Sequence, residues 1–583
     1  MYFSKSLDFF NAQKNFLIIL FLCFAVSLLI VLNAWSGFYV FSSFNSYSTL
    51  GGLIPHSDAL MYYWGAENIL NGGLLDSWNL RRPINALFLS VRLWMTGDSY
   101  IGALLIQTAL FSFCLSLVIY EFIRTISWVS VVFFGAFFLG IGFFVLYTPL
   151  SESLGMSLGL LAFLLLWTGQ RDQNIFLFSF GMFLLTAALN ARSGAFFVLP
   201  MIFLWILFQD FTFKKKWVFG ALTGVLGAFF YNKLLLWLYS DHSTLANLHS
   251  NFSYIIYGLA AGGKGWQHSY TIPGIHSLSE AEQAKLVYQE TIKLIMNSPV
   301  DLIKGLIKNF VIFVRTHLYP FESIAPNISF LELFTLPKNL SWIKAIFSML
   351  ILSSGFFIIK RFLAYLRNYP QSGWFVFCAV LGNIFSVFVI WVDGKWRVFS
   401  ATMVFFPALL SLAFAKIPLK MNTSEHNAIP ITKIAVGLSC LMLLSTAFLP
   451  KIFFKANSIE NIKSSFKCQK DEQLIIAHSL HKAPHVNLSN DYHHSFLWKV
   501  SPTRFKFLTS KITEVDFTFP ARNAPSSFGL VFDMLSKSLF YVTGPLNTFD
   551  QMDNFVGLCV QPLSSNPQIM TIHSQMSLKN IHS

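Results

Sequence analysis

Charge is scarce in this chain. Only 12% of its 583 residues are Asp, Glu, Lys or Arg, about half the share of a soluble globular protein. An ordinary soluble domain is therefore excluded. Its six cysteines include no Cys-x-x-Cys pair, which argues against a zinc ribbon or a dithiol redox motif. Gly258, Gly262, Gly263, Lys264 and Gly265 lie together, but the Gly-Lys-Ser/Thr ending of a phosphate-binding loop is missing. His481 and His485 stand four apart without the acid of a zincin helix. The first polar loop has no Asp-x-Asp pair, and carboxylates are few, so a divalent ion is allowed but not required. No internal repeat is visible, although a secondary transporter usually carries one.

What the chain has is hydrophobic sequence, 55% of it, in blocks of the length that crosses ~30 Å of hydrocarbon. The fold class expected is a polytopic α-helical membrane protein. Eleven spans are expected, at 15–34, 99–120, 127–147, 150–168, 174–190, 194–209, 217–239, 342–360, 372–391, 398–415 and 430–449. Lys5 and Lys14 precede the first and keep the N-terminus cytoplasmic. A cleaved signal peptide is disfavoured, because the apolar core is long and no small-x-small site follows. Every loop expected inside is basic: Arg124, Arg171, Lys214 to Lys216, Lys360 with Arg361 and Arg367, and Lys416 with Lys420. This obeys the positive-inside rule. The net charge of +14 then fits anionic headgroups and needs no nucleic acid.

The segments left outside are 36–98, 240–341 and 451–583. Pro83 suits a first helical position, and Ile84, Leu87, Phe88, Val91 and Met95 form an apolar stripe after it. Ser279 and Glu282 read as a capping box. Beyond Pro299, Ile303, Leu306, Ile307, Phe310 and Val314 alternate with Lys304, Lys308 and Arg315. Both stripes predict helices lying on the membrane. Residues 451–583 read as a small α+β domain, with strands at Gln473–Ala477 and Phe528–Phe532. Its two cysteines, Cys468 and Cys559, can pair in an oxidising compartment.

Several polar residues fall at outer span ends: Asp58 and Tyr62 in the first loop, Glu152 before the fourth span, Arg192 before the sixth, and Asp393, Lys395 and Arg397 before the tenth. Interfacial anchoring explains an Arg or Trp there. It does not explain the acid Glu152 in a turn of almost no length. Guanidinium and ammonium groups hold a phosphate by charge-assisted bonds, and a carboxylate can take the acceptor's proton. The combination points to chemistry on a lipid-borne phosphate.

At these residues the chain resembles the GT-C glycosyltransferases, and within them the protein O-mannosyltransferase and aminoarabinose-transferase branch. The resemblance rests on Asp58-x3-Tyr62-x3-Ala66, Arg82-Pro83, Thr96-Gly97, Ser151-Glu152, Arg192-Ser-Gly194-Ala195 and Asp393-Gly-Lys-Trp-Arg397. It spans residues 15–420. The stretch from Asn251 through Tyr257 and Lys264 to Trp266 is similar to one in bacterial members, as a loop that closes on donor or a plain surface turn. The resemblance implies a polyprenyl- or dolichyl-phosphate sugar as donor, Asp58 as base, and Glu152 as a second carboxylate that positions donor or acceptor. It further implies Arg82, Arg192, Lys395 and Arg397 as phosphate ligands, and an active site on the periplasmic side of a bacterial inner membrane. Many members carry Asp-Glu in the first loop where this chain has Asp58-Ala59, and the C-terminal domain lacks the repeats of eukaryotic members. The acceptor (glycan, lipid or protein) stays open. The rival classes are a transporter or flippase of a polyprenyl-linked lipid and a noncatalytic envelope assembly protein, which would tolerate loss of Asp58.

Overall fold

The computed structural model describes residues 2–35, 49–50, 54–55, 58–142, 145–209, 214–241, 250–318, 356–415, 430–454, 468, 473–478, 527–533, 538–544, 555–563 and 566–577. The helices are α1 (Tyr2–Trp35), α2 (Asp58–Leu70), α3 (Ser77–Leu80), α4 (Pro83–Met95), α5 (Tyr100–Thr125), α6 (Trp128–Gly142) and α7 (Ser151–Arg171). They continue as α8 (Ile175–Ala191), α9 (Val198–Phe208), α10 (Lys214–Tyr239), α11 (Ser250–Ala260), α12 (Glu280–Asn297) and α13 (Pro299–Leu318). The last four are α14 (356–368), α15 (Pro370–Gly394), α16 (Phe405–Ala413) and α17 (Ile431–Phe453).

Helix α7 is the axis of the bundle. Its sequence is apolar on every side, and a helix of that kind is stable only when surrounded. All of its apolar window is buried, and it packs on α5, α8, α15 and α17. Its hydroxyls return to its own turns, as in Ser157 to the Ser153 carbonyl (3.0 Å) and Thr168 to that of Leu164 (2.8 Å). Glu152 and Arg171 mark its two ends, about 29 Å apart at ~1.5 Å per residue, which is the thickness of a bilayer core. At the Arg171 end, Glu121 is buried and pairs with Arg171 and with Arg124 (3.2 Å).

Among the described residues, six helices are long and apolar enough to cross a membrane: α1, α5, α7, α10, α15 with its 3-10 extension to Phe399, and α17. Two of them, α1 and α10, expose large apolar side chains. Leu17, Phe21 and Leu29 on α1, and Phe219, Phe230 and Trp237 on α10, are exposed, which suits contact with lipid. The chain is a helical membrane protein. Three further apolar helices, α6, α8 and α9, are shorter. The sixth expected span begins as helix only at Val198, so α9 covers about 16 Å. The tenth opens as a 3-10 turn, Lys395–Phe399, and becomes α-helical only over α16. This irregular backbone is buried in protein, where it is tolerated. The Asn383 amide donates to the Thr402 carbonyl (3.2 Å) and accepts from the Thr402 hydroxyl (2.6 Å). The first fourteen residues of the span expected at 342–360 lie outside the described residues.

Helix α4 corrects one expectation. Pro83 does open it, but the helix does not lie on the surface. All residues from Pro83 to Leu93 are buried, because α2, α5, α10 and α17 pack around the helix. Two of its polar side chains bond inside: Arg92 donates to the Gln107 side chain (2.5 Å), and Asn85 to the Pro149 carbonyl (3.4 Å). The stripe residue expected at Met95 is exposed instead, while the others are buried.

The 250–318 region forms an outer layer with a small core of Tyr254, Tyr257, Ile272, Ile275 and Val287. The capping box starts α12: the Glu282 carboxylate accepts from the Ser279 N–H (3.0 Å) and hydroxyl (2.6 Å). Helix α13 exposes Val300, Ile303, Ile307 and Val311 along one stripe. Beside the stripe, Phe310 stacks on Phe388 of α15 (4.6 Å) and Phe313 stands edge-on to Trp391 (4.8 Å).

In the C-terminal region the strands β3 (Gln473–His478), β4 (Ser527–Asp533), β5 (Ser538–Gly544), β6 (Phe555–Leu563) and β7 (Asn566–Ser577) close a barrel in the order β3-β4-β5-β7-β6. All neighbours are antiparallel except β5 and β7. A two-stranded antiparallel ladder of β1 (Thr49–Leu50) and β2 (Ile54–Pro55) precedes α2. Among the described residues of the C-terminal region only strands occur, so the helical part of the expected α+β domain is not among them. Cys468 is disulfide-bonded; Cys559 sits in β6, and its side chain lies outside the described residues, as do His481 and His485.

Candidate functional site

Four segments distant in sequence meet at the Glu152 end of α7. Asp58 is the first residue of α2, which brings its carboxylate to the helix start, where the backbone N–H groups favour an anion. Glu152 lies in the first turn of α7 and is fully buried. Arg192 ends α8. Arg397 lies in the 3-10 turn after α15.

The ion pairs are specific. Arg397 donates from Nε to Glu152 Oε1 (2.5 Å) and from Nη2 to Asp58 Oδ2 (3.4 Å). Arg192 Nη2 approaches the same Glu152 oxygen (3.3 Å), and its Nε donates to the Arg397 carbonyl (3.3 Å). Glycine permits this approach: a Cβ at Gly194 would sit 2.0 Å from the Val398 carbonyl oxygen. Arg82, between α3 and α4, donates to the Tyr62 hydroxyl. Tyr62 is within 3.4 Å of Ser151 Oγ, which in turn donates to Glu152 Oε2 (3.4 Å). Burial works against the Arg82 charge, but Tyr62, Glu152 and Asp58 outweigh it and hold its pKa above the ordinary value. Burial brings the Arg192 guanidinium down to about 10 despite the attraction of Glu152, so it stays charged at neutral pH.

Three guanidiniums face two carboxylates here, which leaves the cluster one positive charge in excess. The carboxylates differ in kind. Glu152 has 0% side-chain exposure and is gripped by two arginines. Asp58 is 32% exposed and held by one long contact. Chemically, the cluster can bind an oxyanion and offer one accessible base.

The other expected residues divide. Asp393 accepts from the Trp266 backbone N–H (2.7 Å), so the glycine-rich loop is docked at the end of α15. That loop is folded on itself: Lys264 N–H donates to the Gly258 carbonyl (3.0 Å), and Gly262, Gly263 and Gly265 take positive φ. It also rests on α13, where a Cβ at Gly305 would meet the Gly263 nitrogen at 2.9 Å and the Leu259 carbonyl oxygen of α11 at 2.3 Å. The loop is therefore a packed element rather than a plain surface turn. Tyr257 is buried in the outer core, its ring 5.8 Å from that of His268. Lys264 is exposed, with Nζ 3.5 Å from His268 Nε2. Lys395 is exposed at positive φ (49°) and makes no hydrogen bond or ion pair with the described members of the cluster.

Sequence reasoning missed Ser151 as a link, and it missed Arg81, whose Nη1 donates to Asn251 Oδ1 (2.8 Å) and ties the first loop to α11. Its neighbour Arg82 stood in the motif; the pair Arg81-Arg82 was the available signal. Among the described residues no three His, Cys, Asp or Glu side chains gather as a metal site. No family model, no curated protein and no solved structure matches this chain.

Proposed function

We propose that this chain is an integral-membrane glycosyltransferase of GT-C-like fold with eleven crossings. It moves a hexosyl or pentosyl group from a polyprenyl-phosphate or dolichyl-phosphate donor to an acceptor outside the cytoplasm, at the periplasmic side of a bacterial inner membrane. The observation that carries the reading is the meeting of Asp58, Glu152, Arg82, Arg192 and Arg397 at one end of the bundle, with a positive charge in excess. A disulfide-bonded Cys468 in the C-terminal region fits an oxidising compartment on the same reading.

In the proposed reaction the acceptor oxygen forms a bond to the sugar's anomeric carbon while the bond from that carbon to the phosphate oxygen breaks. Asp58 takes the acceptor's proton. The phosphate leaves with its electron pair and is held by the arginines, which are fixed before the reaction and need no reorganisation. Glu152 acts through Arg192 and Arg397 and is a positioning residue. No metal is required for these steps.

Mass spectrometry of lipids that copurify with the wild type and with Asp58→Asn tests the reading. A polyprenyl-phosphate sugar, enriched in the variant, is the expected result. Absence of any such lipid from both preparations sinks the donor assignment.

A further inference from the structure

The polar 3-10 turn Trp266–Thr271 and the next turn, Ile275–Ser277, carry rings that the proposed transfer does not use. Trp266 and Tyr270 meet nearly at right angles (5.6 Å, 79°) and are 36% and 41% exposed. Tyr270 is flanked by Tyr254 (6.0 Å) and by His276 (5.6 Å). His268 sits beside them, on the Tyr257 ring and near Lys264. Two partly exposed rings at right angles, beside two imidazoles and a phenol, with the Lys264 ammonium near His268, make an amphipathic corner.

We infer that this corner is a carbohydrate-binding subsite that receives a sugar ring of the acceptor, which makes the acceptor a glycan or a glycan-bearing molecule. The inference rests on the glycosyltransferase reading for the word acceptor, but not for the binding itself. A sugar ring has an apolar face of C–H groups and a rim of hydroxyls. It matches an aromatic face bordered by hydrogen-bond donors and acceptors, since Trp and Tyr serve where one side of a ligand is apolar and the other wet. Partial burial and the nearby Lys264 charge lower the His268 pKa, so its ring is neutral at pH 7, able to donate from one nitrogen and accept at the other.

The alternative occupant is the membrane, because Trp and Tyr also gather at headgroups. Composition argues against it. Between Lys264 and Thr271 the chain reads Gly, Trp, Gln, His, Ser and Tyr, without an aliphatic side chain. The aliphatic stripe of the outer layer is on α13, at Val300, Ile303, Ile307 and Val311. Position argues for the acceptor. The Trp266 N–H is bonded to Asp393, four residues before Arg397, and Asn251 at the other end of α11 is bonded to Arg81 beside Arg82. The corner is therefore anchored at Asp393, and α11, which leads into it, is anchored at Arg81; both are sequence neighbours of the charged cluster.

The test is saturation-transfer NMR on the full chain in nanodiscs, without donor, using mannotetraose, cellotetraose and chitotetraose as probes. At least one should receive saturation at its ring C–H protons. Tyr270→Ala and Trp266→Ala should each weaken its dissociation constant about tenfold, while Trp266→Phe retains most of the binding. No transfer to any of the three, or equal binding by both alanine variants, overturns the subsite. A bimane label at Gln267→Cys, in nanodiscs of brominated phosphatidylcholine, reads the alternative. Quenching there means a membrane-dipping turn and also overturns the proposal. Because no donor is present, loss of the donor assignment leaves saccharide binding standing, and loss of saccharide binding beside copurified donor lipid removes the subsite alone.

Discussion

Asp58 and Glu152 are both carboxylates at the start of a helix, yet their surroundings give them different work. Asp58 keeps a third of its side chain in solvent and one long contact to Arg397. Exposed pairs of that kind contribute little to stability, about 0–1 kcal/mol. Asp58→Asn should therefore lower transfer about 10²–10⁴-fold, the usual weight of a general base, while thermal unfolding stays nearly unchanged. Preserved turnover would remove Asp58 from the mechanism. Glu152 is the opposite case. Removing its charge leaves the buried Arg192 without its acid partner and Arg397 with only its long contact to Asp58, and breaking a buried pair costs about 3–5 kcal/mol. Glu152→Gln should lower the thermal midpoint clearly, and a midpoint equal to wild type would show that the arginines find other partners. Charge reversal at Arg192 or Arg397 should deplete copurified phosphate lipid; unchanged lipid would make these residues anchors.

At the scale of elements, the outer layer depends on close backbone approach. Gly305 of α13 lies under the Leu259 carbonyl, and the loop that follows α11 ends on Asp393. A Gly305→Val side chain has no room there, so α11 and its loop must lift from α13. Limited proteolysis should then cut between Ala260 and Thr271 faster than in wild type, and an unchanged cleavage rate would show that the layer adjusts elsewhere. The loop's glycines were readable as a turn, but not as a packed one. Packing depended on Gly305, more than forty residues on, and no local pattern ties the two. Helix α4 makes the same point in reverse. Its Pro83 start and apolar stripe were legible, while its burial depends also on α17, over three hundred residues later in the chain.

For the whole molecule, the charged clusters at the two ends of α7 predict sidedness. Glu152 is buried and beyond the reach of a labelling reagent, but Lys395 is exposed near the cluster and Lys215 is exposed at the start of α10. An impermeant thiol reagent on intact spheroplasts should label Lys395→Cys, and should label Lys215→Cys only after the membrane is opened. Labelling of both from the same side would overturn the proposed topology.

Sequence alone determined that this chain enters a membrane, since hydrophobic blocks of bilayer length with few charges have no other stable environment. It also marked the polar residues at span ends, because a charge next to such a block stands out against its neighbours. Helix starts at Pro83 and Ser279 were legible too, since capping is a local matter of a few backbone groups. Only the tertiary structure decided which of those polar residues meet. Asp58 and Arg397 are separated by 339 positions, and their contact follows from how α2, α7, α8 and α15 pack around a common axis. The same packing buried Glu152, left Asp58 open and kept Lys395 out of the ion pairs. These distinctions arise from long-range packing and local dielectric surroundings, and neither is written in the spacing of residues along the chain.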